Sequence, residues 1–210
     1  HGQSVAGIIS ASHNDIGIAG INDNTIVVPA KLIFAGLSEF ANININYISN
    51  VLEVFQFMIS DSRIAVVNNS WAFSEKCVVE DVHVPVMEAL ENAATSGRQG
   101  RGTLLVFSSG NDEDGSVNSC VMLPAISPFV LSVGAVDNHG FAFNYSGKGP
   151  TLDVVAPSAA GHPSVPFYTT DRVGETGINS LLSSFFNLSD LDDLGYTKLF
   201  SGTSAAAPQV

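Results

Sequence analysis

Three short stretches carry side chains able to work on a carbonyl carbon. The first is Ser201-Gly202-Thr203-Ser204-Ala205-Ala206-Ala207-Pro208, where a glycine-containing turn delivers Ser204 to the start of an alanine-rich helix. A serine exposed there can bring its Oγ to a carbonyl carbon while backbone N–H groups face the oxyanion that forms. The same spelling also describes an ordinary serine N-cap. The second stretch, Leu104-Leu105-Val106-Phe107-Ser108-Ser109-Gly110-Asn111, is an apolar run that ends in small residues and an asparagine. Ligands of an open parallel sheet gather outside the carboxyl ends of its strands, so the Asn111 amide is placed to donate to a developing oxyanion. An asparagine that simply opens the Asn111-Asp112-Glu113-Asp114-Gly115 turn reads equally well. The third is His1-Gly2-Gln3-Ser4-Val5-Ala6-Gly7, with His1 heading a helical stretch whose glycines permit close packing. A histidine acts as general base to a serine only when a third group fixes its tautomer.

Positioning such groups takes a scaffold, and the chain spells one. Apolar runs at Thr25 to Ile33, Ile64 to Val67, Thr103 to Phe107, Val130 to Val136 and Leu152 to Val155 alternate with amphipathic stretches. That alternation predicts an α/β fold of three layers, α/β/α, with a mainly parallel sheet. Ile45, Ile48, Leu52, Phe55 and Ile59 line one helical face, and Val86, Leu90, Ala93 and Ala94 another. The second of these helices is expected to stop near Ser96, ahead of Gly97 and the Gly100-Arg101-Gly102 loop. From Ala159 to Phe200 the composition turns to Ser, Gly, Asp and Asn, which predicts a long irregular excursion over the surface.

Composition removes other classes of function. Eight Lys and Arg against 20 Asp and Glu give a net charge of −12 over 210 residues, a field that repels phosphate backbones and anionic lipid. Nucleic acid and membrane are therefore not expected partners, and no apolar run approaches the roughly 18 residues of a membrane-spanning helix. At 45% hydrophobic and 13% charged the chain is expected to fold around one core, as a single domain over residues 1–210. A nucleotide-binding domain of this class would show a glycine-rich phosphate loop after a strand, and none is spelled here. The helix that reaches Val210 carries no stop signal and His1 opens inside a motif, so both ends are expected to cut through working structure.

Taken together, His1-Gly2, Asn68-Asn69-Ser70-Trp71, Ser109-Gly110-Asn111 and Gly202-Thr203-Ser204, in this order, resemble the motifs of the subtilisin-like serine protease family, from His1 to Val210. The resemblance implies a subtilisin-like fold, with Ser204 as nucleophile, His1 as general base and then acid, and Asn111 as side-chain donor to the oxyanion. The family's orienting aspartate lies upstream of the histidine, so no Asp of these 210 residues takes that role. The order of residues also excludes an α/β-hydrolase, which places its Asp and His after a G-x-S-x-G serine. By the same resemblance Ser70, Trp71 and Ala72 form a strand that pairs with an extended peptide, opposite Phe34-Ala35-Gly36-Leu37, with Gly36, Ser109 and Gly110 also lining the channel. The family usually has glycine where this chain has Ala72, which narrows the pocket entrance.

Ser12-His13-Asn14-Asp15-Ile16-Gly17-Ile18-Ala19-Gly20 resembles the family's calcium loop. The implied ligands are the carbonyls of Ser12, Ile16 and Ile18 and the side chain of Asn14. The Ser-Ala-Ala-Ala-Pro spelling after Thr203, with Thr169-Thr170-Asp171, is similar to the kexin-like branch, which cuts after paired basic residues. The matching pocket loops here carry only Glu75 and then Val121-Met122-Leu123, so an apolar or tolerant pocket is expected instead. Cys77 and Cys120 fall on the two pocket-forming loops, which motivates a disulfide between them. Gln3 and Gln209 stand where the family usually has threonine and histidine, and both are expected to be tolerated. The implied protein is a secreted or exported endopeptidase acting on polypeptides, with a prodomain or further domains beyond these residues. The alternative is a degenerate family member that binds peptides or partners without cutting.

Overall fold

The computed structural model describes residues 1–32, 45–73, 77–112, 120–159, 166–174, 176–180 and 190–210, and only the backbone of residues 45–47. Four of the apolar runs become strands: β1 (Val66–Asn69), β2 (Leu104–Ser108), β3 (Leu131–Val136) and β4 (Val154–Pro157). They lie side by side in the order β1-β2-β3-β4 and every pairing is parallel. In β2 the two-residue period sends Leu105 and Phe107 to one face and Val106 to the other, and all three are buried. Helices lie on both sides of the sheet, which is why its central strands β2 and β3 read as continuous apolar runs and not as an alternation.

On the first face lie α2 (Ile45–Ser60) and α3 (Val84–Gly100), packed against each other. Ile48, Val51 and Phe55 from α2 and Val86, Leu90 and Ala93 from α3 enclose Val67, Leu105 and Phe107 of the sheet. Phe55, Phe73 and Phe107 are almost wholly buried here, each adding about 2–3 kcal/mol of hydrophobic stabilisation. Pro85 near the start of α3 costs no hydrogen bond there. The helix breaks where the sequence predicts, because Gly97 has ψ 157° and Arg98 and Gln99 turn left-handed. Gly97 also lies 2.5 Å, measured from an added Cβ, from Thr103 Oγ1, so only glycine lets the helix end meet the start of β2. On the second face, α1 (Gly2–Ser10) and α4 (Thr203–Ala206), the latter continued by a 3₁₀ turn at Ala207–Gln209, pack against each other. Ala206 and Ala207 share a cluster with Val106, Val133 and Ala135. The three-layer α/β/α architecture is thus present.

Two expectations change. The Thr25 to Ile33 run makes no strand over residues 25–32, of which 25–31 are exposed, Ile26 at 90%, while Leu32 packs partly buried against the main core. An extended run needs a neighbouring ladder to satisfy its backbone, and none of the described strands lies against it. Within the Ala159 to Phe200 excursion the described residues contain a short antiparallel pair, β5 (Thr169–Thr170) with β6 (Tyr196–Thr197), so that stretch is not wholly irregular.

Cys77 and Cys120 form a disulfide, with Cα atoms 6.0 Å apart. It joins the segment after Trp71 to the segment after Asn111. The same two segments are held by a backbone hydrogen bond from Phe73 N–H to Leu123 O, 2.7 Å. Closing a loop with a sequence separation of 43 restricts the unfolded chain, which is worth about 2–4 kcal/mol. Replacing both cysteines by serine is expected to lower the urea midpoint, with a larger m-value because the unlinked unfolded chain exposes more surface. A midpoint equal to that of the parent would show that the bridge carries no net stability.

Candidate active site

Ser204 is the second residue of α4, and the turn that delivers it is held from several directions. Gly202 sits just before the helix with φ 83°, a left-handed conformation that favours glycine. A Cβ there would lie 2.8 Å from Asn111 Nδ2, so glycine is also needed for space. Ser158 Oγ donates to Gly202 O at 2.8 Å. Tyr145 Oη donates to Ala159 O at 2.6 Å and lies 3.3 Å from Ser158 Oγ. Burial holds the Tyr145 hydroxyl above its ordinary pKa. Gln209 Nε2 ties the end of this segment to Pro157 O and Ala205 O.

The sequence places Ser204 in the open, whereas its residue is only 8% exposed. The reason is the segment beyond β1: Ser204 Oγ donates to Ser70 O at 3.3 Å, and Ser70 Oγ donates back to Ser204 O at 3.0 Å. The hydroxyl hydrogen bond therefore goes to Ser70 and not to His1. A serine hydroxyl exchanges acceptors by rotation about χ1 between staggered positions.

Asn111 follows β2 and, among the described residues, its side chain is bound at one end only. Its Oδ1 accepts from Thr203 N–H at 2.8 Å and from Thr203 Oγ1 at 2.9 Å. A backbone N–H can only donate, so this pair fixes which end of the amide is oxygen. Nδ2 is then the end free to serve as donor, beside the turn that carries Ser204. Sequence reasoning gave Thr203 no role although it lies inside the Gly-Thr-Ser motif; its neighbour Ser204 absorbed the chemical interpretation.

The remaining candidates are placed as follows. Ser109 is fully buried, its N–H donating to Val133 O and its carbonyl accepting from Met122 N–H. Gly110 has φ 95°, and a side chain there would strike Met122. Trp71 is half-buried, edge-on to Phe107 and Phe73 at centroid distances of 5.4 and 5.6 Å, and its Nε1 donates to Asn69 Oδ1 at 3.1 Å. Ala72 is half-buried next to it. Phe34, Ala35, Gly36, Leu37 and Glu75 lie outside the described residues.

His1 stands at the N-cap of α1 and is exposed. Its ring meets Phe200 edge-on, centroids 5.4 Å apart. Phe200 shares a small cluster with Ile8 of α1 and Ala205 of α4, so His1 rests on the segment that leads into Ser204. The structure thus brings together Ser204 with Ser70, Asn111 with Thr203, and His1 with Phe200.

The loop after α1 carries Asp15 at φ 62° and Gly17 at φ 66°, and any side chain at Gly17 would collide with Tyr196. Asn14 Oδ1 accepts from Ile16 N–H at 3.3 Å. The carbonyls of Ser12, Ile16 and Ile18 accept no hydrogen bond from a described residue. These oxygens suit calcium in kind, though four fall short of the six to eight it takes. Among the described residues no group of three or more His, Cys, Asp or Glu is arranged to hold a metal.

Comparison with known proteins identifies the family and the fold. A model of the subtilase family matches residues 1–210. Alkaline elastase YaB of Bacillus sp. is 29% identical over 166 residues, covering 79% of this chain and 38% of its own length. The calcium-dependent protease of Trichormus variabilis is 27% identical over 215 residues, covering 99% of this chain and 30% of its own. The chain therefore spans well under half the length of these relatives. Among solved structures, the serine protease of Aeromonas sobria superposes with a TM-score of 0.75 at 20% identity, over 98% of this chain and 38% of the other. The patellamide maturation protease PatA gives 0.65 at 21% identity, over 99% and 61%. These likenesses establish the shared fold. With a family match along its whole length, this chain belongs to the subtilase family.

Proposed function

We propose that the protein is a serine endopeptidase in which Ser204, His1 and Asn111 act on the peptide bond. The observation that carries this reading is the clamp on Asn111: Thr203 N–H fixes its Oδ1, leaving an amide donor next to a helix N-terminus that bears a serine. Ser204 Oγ attacks the scissile carbonyl carbon as its proton passes to His1. The backbone N–H of Ser204 and Asn111 Nδ2 hold the oxyanion of the tetrahedral intermediate. His1 then gives the proton to the leaving amine, and water repeats the cycle on the acyl-enzyme. No Asp or Glu of the 210 residues is assigned the task of orienting the histidine.

The substrate is a polypeptide bound in extended form against Ser70, Trp71 and Ala72, with Gly36 on the opposing strand and Ser109 and Gly110 at the pocket. Met122 next to Gly110 favours an apolar side chain there. Ser12, Asn14, Ile16 and Ile18 would hold a calcium ion whose role is to stiffen the loop, and the naming of a relative as a calcium-dependent protease supports that assignment. The Cys77–Cys120 disulfide fits an exported protein, since such bonds persist in oxidising compartments. A prodomain or further domains accompany this one in the whole protein.

Treatment of the full-length protein with a fluorophosphonate is expected to add one phosphonyl group, mapped by mass spectrometry to the peptide containing Ser204 and absent from Ser204→Ala. An unlabelled Ser204 in a protein that still binds extended peptides would favour the non-cutting alternative.

A further inference from the structure

The Thr169-Thr170-Asp171 run has no part in the chemistry above, yet it lies at a buried polar knot outside the site. Asp171 and Asn179 are 4% and 3% exposed. Asp171 Oδ1 accepts from Arg172 N–H at 2.8 Å and Oδ2 from Asn179 N–H at 2.7 Å, while Asp171 N–H donates to Gly195 O at 2.7 Å. The Asn179 amide nitrogen reaches the carbonyls of Leu191, Tyr196 and Asp193 at 2.8, 2.9 and 3.3 Å. A side chain at Gly177 would collide with the Asp171 carboxylate, so the turn is folded tightly around it. These bonds tie β5 to β6 at the end of the pair where the connecting segment leaves it.

Each strand of that hairpin faces one side of the site. On β5, Thr169 Oγ1 donates to Ser4 O at 2.6 Å and Thr170 Oγ1 to Gln3 O at 2.9 Å. Both acceptors belong to the first turn of α1, directly after His1. Gly7 completes the fit, because any side chain there would strike the two threonine hydroxyls. β6 runs on through Leu199 and Phe200 into the turn that carries Ser204, and Phe200 is the residue on which the His1 ring rests. Asp190 steadies this exit, accepting from Thr197 Oγ1 at 2.7 Å and from Lys198 N–H at 2.9 Å.

We propose that the β5–β6 hairpin, locked by Asp171 and Asn179, is the brace that sets the His1 helix against the segment bearing Ser204, so that Thr169, Asp171 and Asn179 are positioning residues for catalysis. The inference rests on the reading of His1 and Ser204 as base and nucleophile. None of the three touches the reacting atoms. Their effect runs through the distance and angle between two groups contributed by opposite ends of the sequence, and a misplacement on the order of 1 Å costs about 10²-fold in rate.

The test uses the full-length protein with a chromogenic peptide substrate. Thr169→Val removes one hydroxyl with little change of shape and is expected to lower kcat about tenfold with KM unchanged, while Thr169→Ser recovers most of that loss. Asp171→Asn sets an amide against two N–H donors and is expected to lower kcat about 10²-fold, again with KM held. Should Asp171→Asn fail to fold, the Thr169 pair decides alone. A Thr169→Val enzyme with kcat within twofold of the parent, or a loss that appears in KM, overturns the brace. If Ser204→Ala leaves hydrolysis intact, it is the assignment of the nucleophile that fails.

Discussion

Peptide hydrolysis by the full-length protein is expected to fall about 10⁶-fold in kcat when Ser204 is replaced by alanine, a factor established on subtilisin and carried over to this chain. His1→Ala is expected to cost nearly as much, and the double variant hardly more than either alone. The reason is that nucleophile and base are one device: a serine hydroxyl without a base is a poor nucleophile, and a base without the serine has no proton to take. What survives is the roughly 10³–10⁴-fold advantage over water that comes from binding the substrate and holding the oxyanion. Steady-state kinetics on a peptide anilide, with folding checked by near-ultraviolet dichroism, measures all three variants. Losses that add across the double variant would show that the two residues act separately and would sink the proposed mechanism.

The second large effect is at Asn111. Asn111→Leu is expected to lower kcat by about 10²–10³ with KM little changed, again the scale known from subtilisin, because the donor acts on charge present only in the transition state. Here the structure adds a complication that can be separated. Asn111 Oδ1 is also the acceptor for Thr203 N–H and Oγ1, and Thr203 is fully buried. Leucine leaves both donors unpaired, which costs about 1–3 kcal/mol of stability. Asn111→Asp keeps an oxygen for Thr203 and loses the amide donor, so its kcat should fall at least as far while its thermal midpoint stays near that of the parent. An aspartate variant that keeps full kcat would remove Asn111 from the oxyanion site.

Much of the scaffold was legible because burial on both faces leaves a simple spelling. Leu104 to Phe107 and Val130 to Val136 read as strands since they are almost wholly apolar, with Ser132 the one polar residue, and Val86, Leu90 and Ala93 marked the inward face of α3. The run at Thr25 failed the same test because hydrophobicity reports a wish for burial and not the presence of a partner strand. Ser204, Asn111 and His1 were found through local glycine-marked contexts. The clamps on them were not: Thr203 to Asn111, Ser70 to Ser204 and Thr169 to Ser4 join residues separated by 92, 134 and 165 positions. A single sequence carries no signal for such pairings, and serine and threonine hydroxyls are too common to stand out. The Asp171 and Asn179 knot was hidden in a stretch whose polar composition predicts loop, and its order comes from buried hydrogen bonds that composition does not register.

The contact between Thr169 and the first turn of α1 also governs how the molecule is made. Bringing together groups 165 residues apart costs on the order of 4–5 kcal/mol in chain entropy, over and above a constant, and contacts of that span form late when folding is slow. A parallel sheet and two flanking helices can assemble while α1 is still unattached. Loop-closure entropy therefore makes the docking of α1 onto β5 and β6 an expected late event in folding. Under the proposed mechanism that order would leave half-made copies, at their most vulnerable stage, unable to digest one another.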